Sequence, residues 1–329
     1  MAYDIRSSEG DRRLAIQVTG LTKSYGAHRV LDGIDLAIPR GSVFALLGPN
    51  GAGKTTTVRI LGTLGRADGG QVRVAGHDVH RERGEVRRRI SLTGQYAALD
   101  ELQTGRENLR MMGRLRGLSA RRARSRAHDL LVQFDLEGAA DRRVGSYSGG
   151  MRRRLDLAAG LVRRPEVLFL DEPTTGLDPR GRHAVWSLVA ELAADGMTVF
   201  ITTQHLDEAD RLADRIAVID GGRIVAEGTA RELKQQAGGG RLDLVAADAQ
   251  AFDALAGALG PRVVHADRGL LTLGAAIGEE AAGVRALLDE LDPQRVRVAR
   301  FGHHTASLDD VFMSITGHPR APESEPAHA

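Results

Sequence analysis

The sequence predicts an α/β protein with a largely parallel sheet covered by helices, followed by a small α+β domain. From residue 14 to about 234, apolar runs of strand length alternate with segments of helical periodicity, which is typical of a parallel sheet. A glycine-rich turn at residues 48–55 joins one of these strands to a helix. After a change of composition at residues 235–240 the order becomes βαββαβ, which is that of a ferredoxin-like domain.

Each strand predicted in the first part is an apolar run that ends at turn residues or a polar stretch. These strands span residues 14–18, 30–38, 43–47, 71–76, 167–170 and 198–202, with a hairpin at 216–225. Helices are predicted at 56–61 and 181–194, and an arginine-rich helical subdomain at about 97–162. The first domain is therefore predicted at residues 14–234.

The second part has shorter elements and a different order. Its strands are predicted at residues 241–246, 262–266, 269–273 and 295–301, and its helices at 249–259, 279–291 and 307–316. We therefore predict a flexible linker at 235–240 and a small domain at 241–318. Residues 319–329 are rich in Pro, Glu, His and Ala and are predicted to be disordered.

Composition excludes several kinds of site. Among 329 residues, 42% are hydrophobic and 27% are charged, which is typical of a soluble globular protein. The absence of cysteine excludes disulfides, zinc–thiolate sites and cysteine nucleophiles. The net charge of +2 does not favour nucleic-acid binding over the whole surface. No apolar run approaches 18 residues and residues 1–13 are polar, so we expect neither a membrane span nor a signal peptide.

Residues 48–55, GPNGAGKT, match the phosphate-binding pattern G-x-x-x-x-G-K-[ST] at every fixed position, between a buried strand and a helix. Glycines allow backbone N–H groups to point at phosphate oxygens, and the helix adds the positive end of its dipole. Lys54 is expected to reach the β- and γ-phosphates, and the Thr55 hydroxyl to bind Mg²⁺. The motif and its context predict a nucleoside triphosphate site.

Two adjacent carboxylates, Asp171 and Glu172, follow the apolar strand at 167–170. A buried strand would bring Asp171 beside the phosphate loop, where its carboxylate can hold Mg²⁺, usually through water. Glu172 could then polarise the attacking water as a general base. The alternative is a strand followed by an acidic turn. Residues 148–150, SGG, precede a helix and could bind phosphate in the same way, or Ser148 could be only a helix N-cap.

These motifs, in this order and spacing, resemble the nucleotide-binding subunit of ATP-binding cassette (ABC) transporters over residues 14 to about 233. Residues 147–151, YSGGM, resemble the family signature L-S-G-G-Q, in which Tyr147 replaces Leu and Met151 replaces Gln. The resemblance implies a P-loop ABC cassette with a mixed sheet and a helical subdomain, and ATP and Mg²⁺ as cofactors. It also implies two cassettes that meet head to tail, with each ATP between the phosphate loop of one and the signature of the other.

The resemblance adds further site residues to those argued above. Together they give nucleotide contacts at Tyr25, Gly48, Pro49, Asn50, Gly51, Ala52, Gly53, Lys54, Thr55, Thr56, Gln95, Ser148, Gly149, Gly150, Asp178 and His205. The implied Mg²⁺ ligands are Thr55, Gln95 and Asp171, and the implied catalytic residues are Lys54, Glu172 and Gln204. Tyr25 corresponds to an aromatic residue that stacks on adenine, which is physically reasonable because every base offers a π-face.

One position departs from the family pattern. The family usually has a histidine after the strand near residues 199–203, but counting back from Glu208 puts Gln204 at that position and His205 one residue later. A shift of one residue at a strand end turns the side chain to the opposite face. Gln204 can donate an N–H to the γ-phosphate or orient water, although it cannot carry a proton. We therefore favour Gln204 as the γ-phosphate sensor, with His205 as the alternative.

Several segments are similar to the daunorubicin-resistance type of drug-export ATPase. They are residues 104–109, 147–158, 203–204, 206–210, 307–312 and 316–318. The similarity implies an ATPase at the cytoplasmic face of the membrane that pairs as a homodimer and energises a separate integral-membrane ABC-2 type permease. The expected substrate is an antibiotic or another amphiphile. The alternatives are lipid or polysaccharide export, or a soluble ATPase that acts on a ribosome or DNA.

Two further clusters could suggest other ligands. Arginines at 87–89, 121–124 and 152–154 are expected to form solvated helix faces, because no aromatic residues are interleaved as in a nucleic-acid surface. The adjacent His303 and His304 lack carboxylates at ligand spacing. We therefore expect no nucleic acid and no metal beyond Mg²⁺. The C-terminal domain could be regulatory, a dimer clamp or a stabiliser.

Overall fold

The computed structural model describes residues 13–94, 99–236, 240–277, 281–294, 296–304 and 307–316. The chain forms two compact units that divide between Glu227 and Gly228. This division precedes the predicted boundary at residue 234, because the helix Ala230–Gln236 packs against the last helix of the second unit, Leu308–Thr316. Of the predicted linker, 235–236 are helical, 240 begins a strand and 237–239 lie outside the described residues, as does the predicted tail at 319–329.

The first unit contains the elements that carry the motifs. Its strands are β1 (Leu14–Tyr25), β2 (His28–Pro39), β3 (Val43–Leu47), β4 (Gly69–Val74), β5 (His77–Asp78), β6 (Ile90–Thr93), β7 (Val167–Asp171), β8 (Thr198–Thr203), β9 (Arg215–Asp220) and β10 (Arg223–Gly228), the last reaching the division. Its helices are α1 (Lys54–Leu61), α2 (Arg83–Arg89), α3 (Gly105–Leu115), α4 (Ala120–Gln133), α5 (Gly149–Gly160), α6 (Pro179–Ala194) and α7 (Leu206–Leu212).

These strands form two sheets in the described part of the unit. The six-stranded sheet has the order β10-β9-β3-β8-β7-β6, in which the pairs β9–β3, β3–β8, β8–β7 and β7–β6 are parallel. A separate antiparallel sheet has the order β2-β1-β4-β5. The predicted mixed α/β fold is confirmed. Because β3, β7 and β8 run in parallel, their carboxyl ends meet at one edge of the larger sheet.

Successive residues of the central strands face two different cores. Phe169 of β7 and Phe200 of β8 lie 5.6 Å apart between ring centres, and Phe44 of β3 lies 5.7 Å from Phe200. Leu168 and Leu170 point to the opposite face, into a core shared with helices α3 to α6. Burial on both faces explains why these strands are continuous apolar runs in the sequence.

The helical region is anchored by the tyrosine that precedes Ser148. Tyr147 is buried, and its hydroxyl donates a 2.6 Å hydrogen bond to the carbonyl oxygen of Ala139. Gly105, at the start of α3, leaves room for the ring, since a Cβ there would lie 2.4 Å from the Tyr147 hydroxyl. Tyr147 therefore replaces the leucine of the signature with a larger side chain that has its own buried polar partner.

The second unit begins with α8 (Ala230–Gln236), and its sheet is antiparallel with the order β12-β13-β11-β14. Its remaining elements are β11 (Gly240–Ala246), α9 (Ala249–Leu259), β12 (Val263–Asp267), β13 (Thr272–Ile277), α10 (Ala281–Leu291), β14 (Val298–His304) and α11 (Leu308–Thr316). The βαββαβ order with the first and third strands in the centre is the predicted ferredoxin-like arrangement. No helix in the described ranges is both long and apolar enough to span a membrane.

The Tyr147→Phe substitution is expected to lower the free energy of unfolding by about 1 kcal/mol, because it removes one hydrogen bond to the carbonyl oxygen of Ala139, which keeps the Arg142 amide as its other donor. Urea denaturation followed by circular dichroism would measure the change. Tyr25→Phe is the matched control, since Tyr25 is 54% exposed, and should change stability by less than about 0.5 kcal/mol. Equal stability of all three proteins would contradict the expectation.

Candidate nucleotide-binding site

The loop between β3 and α1 requires glycine at two positions. The Gly48 amide donates to the carbonyl of Thr203 at 3.2 Å, and a Cβ at Gly48 would lie 2.3 Å from the carbonyl oxygen of Ile219. Gly53 has φ of 110°, in the left-handed region that favours glycine. The loop is therefore held tightly against strands β8 and β9. Its backbone turns directly into α1, whose N-terminus suits an anion.

Lys54 is folded into this loop. Its side chain is only 4% exposed, and Nζ donates to the carbonyl oxygens of Gly48 at 2.8 Å and Pro49 at 3.0 Å. Nζ also lies 3.5 Å from Oε1 of Glu172. Burial lowers the pKa of Lys54, and the nearby carboxylates of Glu172 and Asp171 only partly oppose that shift. The ammonium group is thus held inside the loop, between its carbonyl oxygens and Glu172.

Asp171 ends the buried strand β7 beside the start of α1. Its Oδ1 accepts hydrogen bonds from the Thr55 hydroxyl, at 3.3 Å, and from the Thr202 hydroxyl of the neighbouring strand β8. A carboxylate and a hydroxyl side by side are hard oxygen ligands that suit Mg²⁺. In the described part of the chain, no group of three or more His, Cys, Asp or Glu side chains could hold a metal. Thr55 and Asp171 supply two oxygen ligands, which fits an ion that takes its other ligands from phosphate and water.

Glu172 follows in a backbone conformation that is uncommon for a side chain other than glycine. Its φ is 49°. This conformation costs about 1–3 kcal/mol and persists only when contacts with the surrounding structure hold it. Its amide donates to the carbonyl of Thr202 at 3.0 Å, and its Oε2 accepts from the hydroxyl of Thr175 at 3.3 Å. The side chain is 10% exposed. Because of this strained turn, the carboxylate lies close to Lys54 instead of continuing in the direction of the strand.

The signature residues lie at the exposed start of α5. Ser148 caps this helix, since its hydroxyl accepts from the amide of Met151 at 3.3 Å. A Cβ at Gly149 would lie 3.8 Å from Leu177, so the signature borders the segment that contains Asp178. Asp178 in turn caps α6 by accepting from the amide of Gly181 at 2.6 Å. Ser148 is thus an N-cap, and a cap at an exposed helix start does not exclude phosphate binding.

Three other predicted site residues lie at the end of a strand or just after one. Tyr25 ends β1 with 54% of its surface exposed, and the Lys23 ammonium lies 5.2 Å from its ring centre. Gln204 follows β8 and is exposed, whereas His205 is partly buried at the N-cap position of α7, without a side-chain cap bond. Gln95 lies outside the described residues.

The expectation of solvated faces is wrong for one arginine of the 152–154 cluster. Arg153 is 9% exposed, and its guanidinium donates to the carbonyl oxygens of Pro173 at 2.7 Å and Gly94 at 2.8 Å. The sequence did contain a signal, because helical spacing puts residue 153 on one face with Asp156 and Leu157, which are also buried. The amino-acid composition gives no reason to distinguish Arg153 from its two arginine neighbours, so its burial was not predicted.

Two family models match the chain. The model of the ABC transporter family matches residues 31–175, and that of the C-terminal domain of DrrA1-3-like ATP-binding proteins matches residues 228–316. Among solved structures, an ATP-binding subunit of an ABC transporter is similar with a TM-score of 0.61 and 29% identity, covering 68% of this chain and 92% of that one. A dimeric ATP-binding cassette bound to ADP and Pi has a TM-score of 0.59 and 26% identity, covering 65% and 98%.

Whole-chain relatives extend the likeness across both units. The daunorubicin/doxorubicin resistance ATP-binding protein DrrA of Streptomyces peucetius is 54% identical over 309 residues, covering 93% of each chain. The doxorubicin resistance protein DrrA of Mycobacterium tuberculosis is 48% identical over 313 residues, covering 93% of this chain and 95% of its own. The Nod factor export ATP-binding protein I of Ralstonia nicotianae is 39% identical over 302 residues, covering 92% and 94%. The chain therefore belongs to the ATP-binding proteins of ABC transporters, in the group that includes the daunorubicin-resistance ATPases.

Proposed function

We propose that this chain hydrolyses ATP between two cassettes and so energises the export of an antibiotic or another amphiphilic drug through a separate permease. The proposed ATPase activity rests on one observation, the close approach at one edge of the sheet of Lys54, Thr55, Asp171 and Glu172. Lys54 Nζ is 3.5 Å from Glu172 and the Thr55 hydroxyl is 3.3 Å from Asp171. Lys54 and Thr55 belong to α1, Asp171 ends β7, and Glu172 follows β7 directly.

Each residue has a distinct task in this proposal. Loop amides and Lys54 bind the phosphates, and Tyr25 stacks on the adenine. Thr55 and Asp171, with Gln95, would hold Mg²⁺, which supplies positive charge to the phosphate oxygens. Glu172 accepts the proton of the attacking water, as a general base must. Because phosphoryl transfer depends mainly on positioning and electrostatics, the rigid placement of these groups matters more than their individual reactivity.

The proposal includes a second copy of the chain. Ser148 and Gly149 are exposed at the start of α5, so they can face a nucleotide held by another cassette. Gly149 lies beside Leu177, the neighbour of Asp178, which supports the proposal that Asp178 also faces the second copy. The similar cassette with bound ADP and Pi is dimeric, which supports a homodimer here. ATP shared across this edge would hold the two copies together until hydrolysis.

The substrate and permease are proposed from the relatives. Relatives named for daunorubicin or doxorubicin resistance are 48–54% identical to this chain, whereas those named for Nod factor export are 38–40% identical. This difference favours drug export over the alternatives of lipid or polysaccharide export. We further propose an ABC-2 type permease as the membrane partner, with this chain bound at its cytoplasmic face.

Glu172→Gln is expected to lower kcat for ATP hydrolysis by about 100- to 10,000-fold, because glutamine cannot accept a proton from water. The dissociation constant for ATP should stay within about twofold, since the phosphate loop is unchanged. Glu166→Gln is the control, because Glu166 is an exposed partner of Arg40 beside the opposite end of β7. A variant with normal turnover would exclude Glu172 as the base.

Gln204→Ala is expected to lower the rate of hydrolysis more than His205→Ala. Gln204 is the exposed residue directly after β8, whereas His205 occupies the start of the next helix. Steady-state ATPase assays on both variants would rank them. The opposite ranking would make His205 the γ-phosphate sensor.

Membrane association tests the transporter part. The tagged chain, purified from detergent-solubilised membranes of its host with Mg-ATP, should retain a polytopic membrane protein, and the Glu172→Gln variant should retain it too. Cells with both proteins should then accumulate less daunorubicin than cells with the variant. A chain that stays soluble or bound to ribosomes would refute export, and active export of lipid without drug would correct the substrate.

A further inference from the structure

Two buried charged residues hold the turn that carries Glu172, from opposite sides. Arg153 of α5 donates to the carbonyl oxygen of Pro173 at 2.7 Å. Glu208 of α7 accepts from the hydroxyl of Thr174 at 3.0 Å. The two residues immediately after Glu172 are therefore tethered to two different helices. One of these helices begins at the signature and the other follows Gln204 and His205.

Arg153 joins three segments through a single planar group. Besides Pro173, its guanidinium contacts the carbonyl oxygen of Gly94 at 2.8 Å and the carboxylate of Asp156 at 3.4 Å. Gly94 ends the described backbone just before Gln95. Burial lowers the pKa of Arg153, although the carboxylates of Asp156, Glu208 and Asp171 oppose this shift. Since an arginine side chain stays charged in proteins, the positive charge is kept inside the unit.

Glu208 is buried in the same region. Its Oε1 accepts from the hydroxyl of Thr174 and, at 3.2 Å, from the indole Nε1 of Trp186 in α6. Burial raises the pKa of Glu208, and the hydrogen bonds from Thr174 and Trp186 oppose that shift. Among the described residues, Oε2 of Glu208 and Nη2 of Arg153 are buried without a hydrogen-bond partner. Each of these two buried side chains therefore makes a hydrogen bond to the 172–174 turn.

The strained backbone at Glu172 indicates what the hydrogen bonds of Arg153 and Glu208 do. A residue with φ of 49° keeps that conformation only when its surroundings over-determine it. The Glu172 amide is held by its hydrogen bond to Thr202. The position of the Glu172 carboxylate also depends on the backbone path of residues 173 and 174. We propose that Arg153 and Glu208 are positioning residues that fix the 172–174 turn and thereby hold the Glu172 carboxylate in its working place. The proposal rests on Glu172 as the general base.

Arg153→Met tests the first tether in the full-length chain. Methionine keeps an unbranched apolar stem and removes all donors, so we expect kcat for ATP to fall about 10- to 100-fold while KM changes less than about twofold. Arg154→Met is the matched control, since Arg154 on the same helix also bonds two carbonyl oxygens and an aspartate, those of Phe134 and Asp135. Its kcat should stay within about threefold of the wild type.

The second tether is tested by comparing two substitutions of Glu208. Glutamine retains an acceptor for Thr174 and Trp186, so kcat should stay within about threefold, whereas alanine should lower it about 10- to 100-fold. Adding Arg153→Met to Glu172→Gln should cause little further loss in single-turnover rate, because Arg153 acts through Glu172. An additive loss would show that Arg153 acts elsewhere.

Arg153→Lys tests for folding failure, because it keeps the buried charge but has one ammonium nitrogen in place of the Nε and Nη1 atoms that donate to Pro173 and Gly94. It should show the same selective fall of kcat, by about tenfold. Unchanged kcat in the folded Arg153 variants, or equal loss in Arg154→Met, would overturn the proposal. If this inference failed in that way, the proposed function would still stand, provided that the wild-type chain hydrolyses ATP and Glu172→Gln is inactive. Normal turnover in Glu172→Gln would instead remove the basis of both.

Discussion

Strand β7 is buried on both faces, and the position of the site depends on that burial. Phe169 packs against Phe200 on one side, while Leu168 and Leu170 enter the core shared with the helical region on the other. A strand fixed by two cores and by parallel neighbours on both edges cannot slip, because a shift of one residue would exchange its two faces. Asp171 is therefore delivered to one place beside the phosphate loop.

The residues after β7 leave the sheet, and hydrogen bonds hold them there. Glu172 turns out of the strand with a positive φ, and the carboxylate approaches Lys54 instead of continuing toward solvent. The Glu172 amide donates to the carbonyl oxygen of Thr202. Arg153 donates to Pro173, and Thr174 donates to Glu208, so the turn is held on several sides. The change from apolar packing to buried polar contacts occurs within three residues, at the point where mobility would misplace a catalytic group.

The sequence predicted what depends on local pattern. The phosphate loop, the buried strand before Asp171 and the βαββαβ order are visible because each has a fixed spacing or period. The burial of Arg153 was missed because its partners are main-chain carbonyls of Gly94 and Pro173, distant in sequence and not identifiable by residue type. The domain division was misplaced for a similar reason. Leu233 is buried within the second unit, and no composition change marks the start of its helix.

The charges at the site also constrain how a nucleotide can enter. Two carboxylates, Asp171 and Glu172, lie within reach of one ammonium group, that of Lys54, which is itself almost fully buried. A triphosphate would bring several negative charges beside the carboxylates of Asp171 and Glu172. Lys54, the amide groups of the loop and the dipole of α1 oppose the resulting repulsion. The Thr55 and Asp171 oxygens lie together, and a divalent cation bound to them would oppose it further. Binding of the nucleotide and binding of the cation should therefore be strongly coupled, because each removes the electrostatic cost of the other.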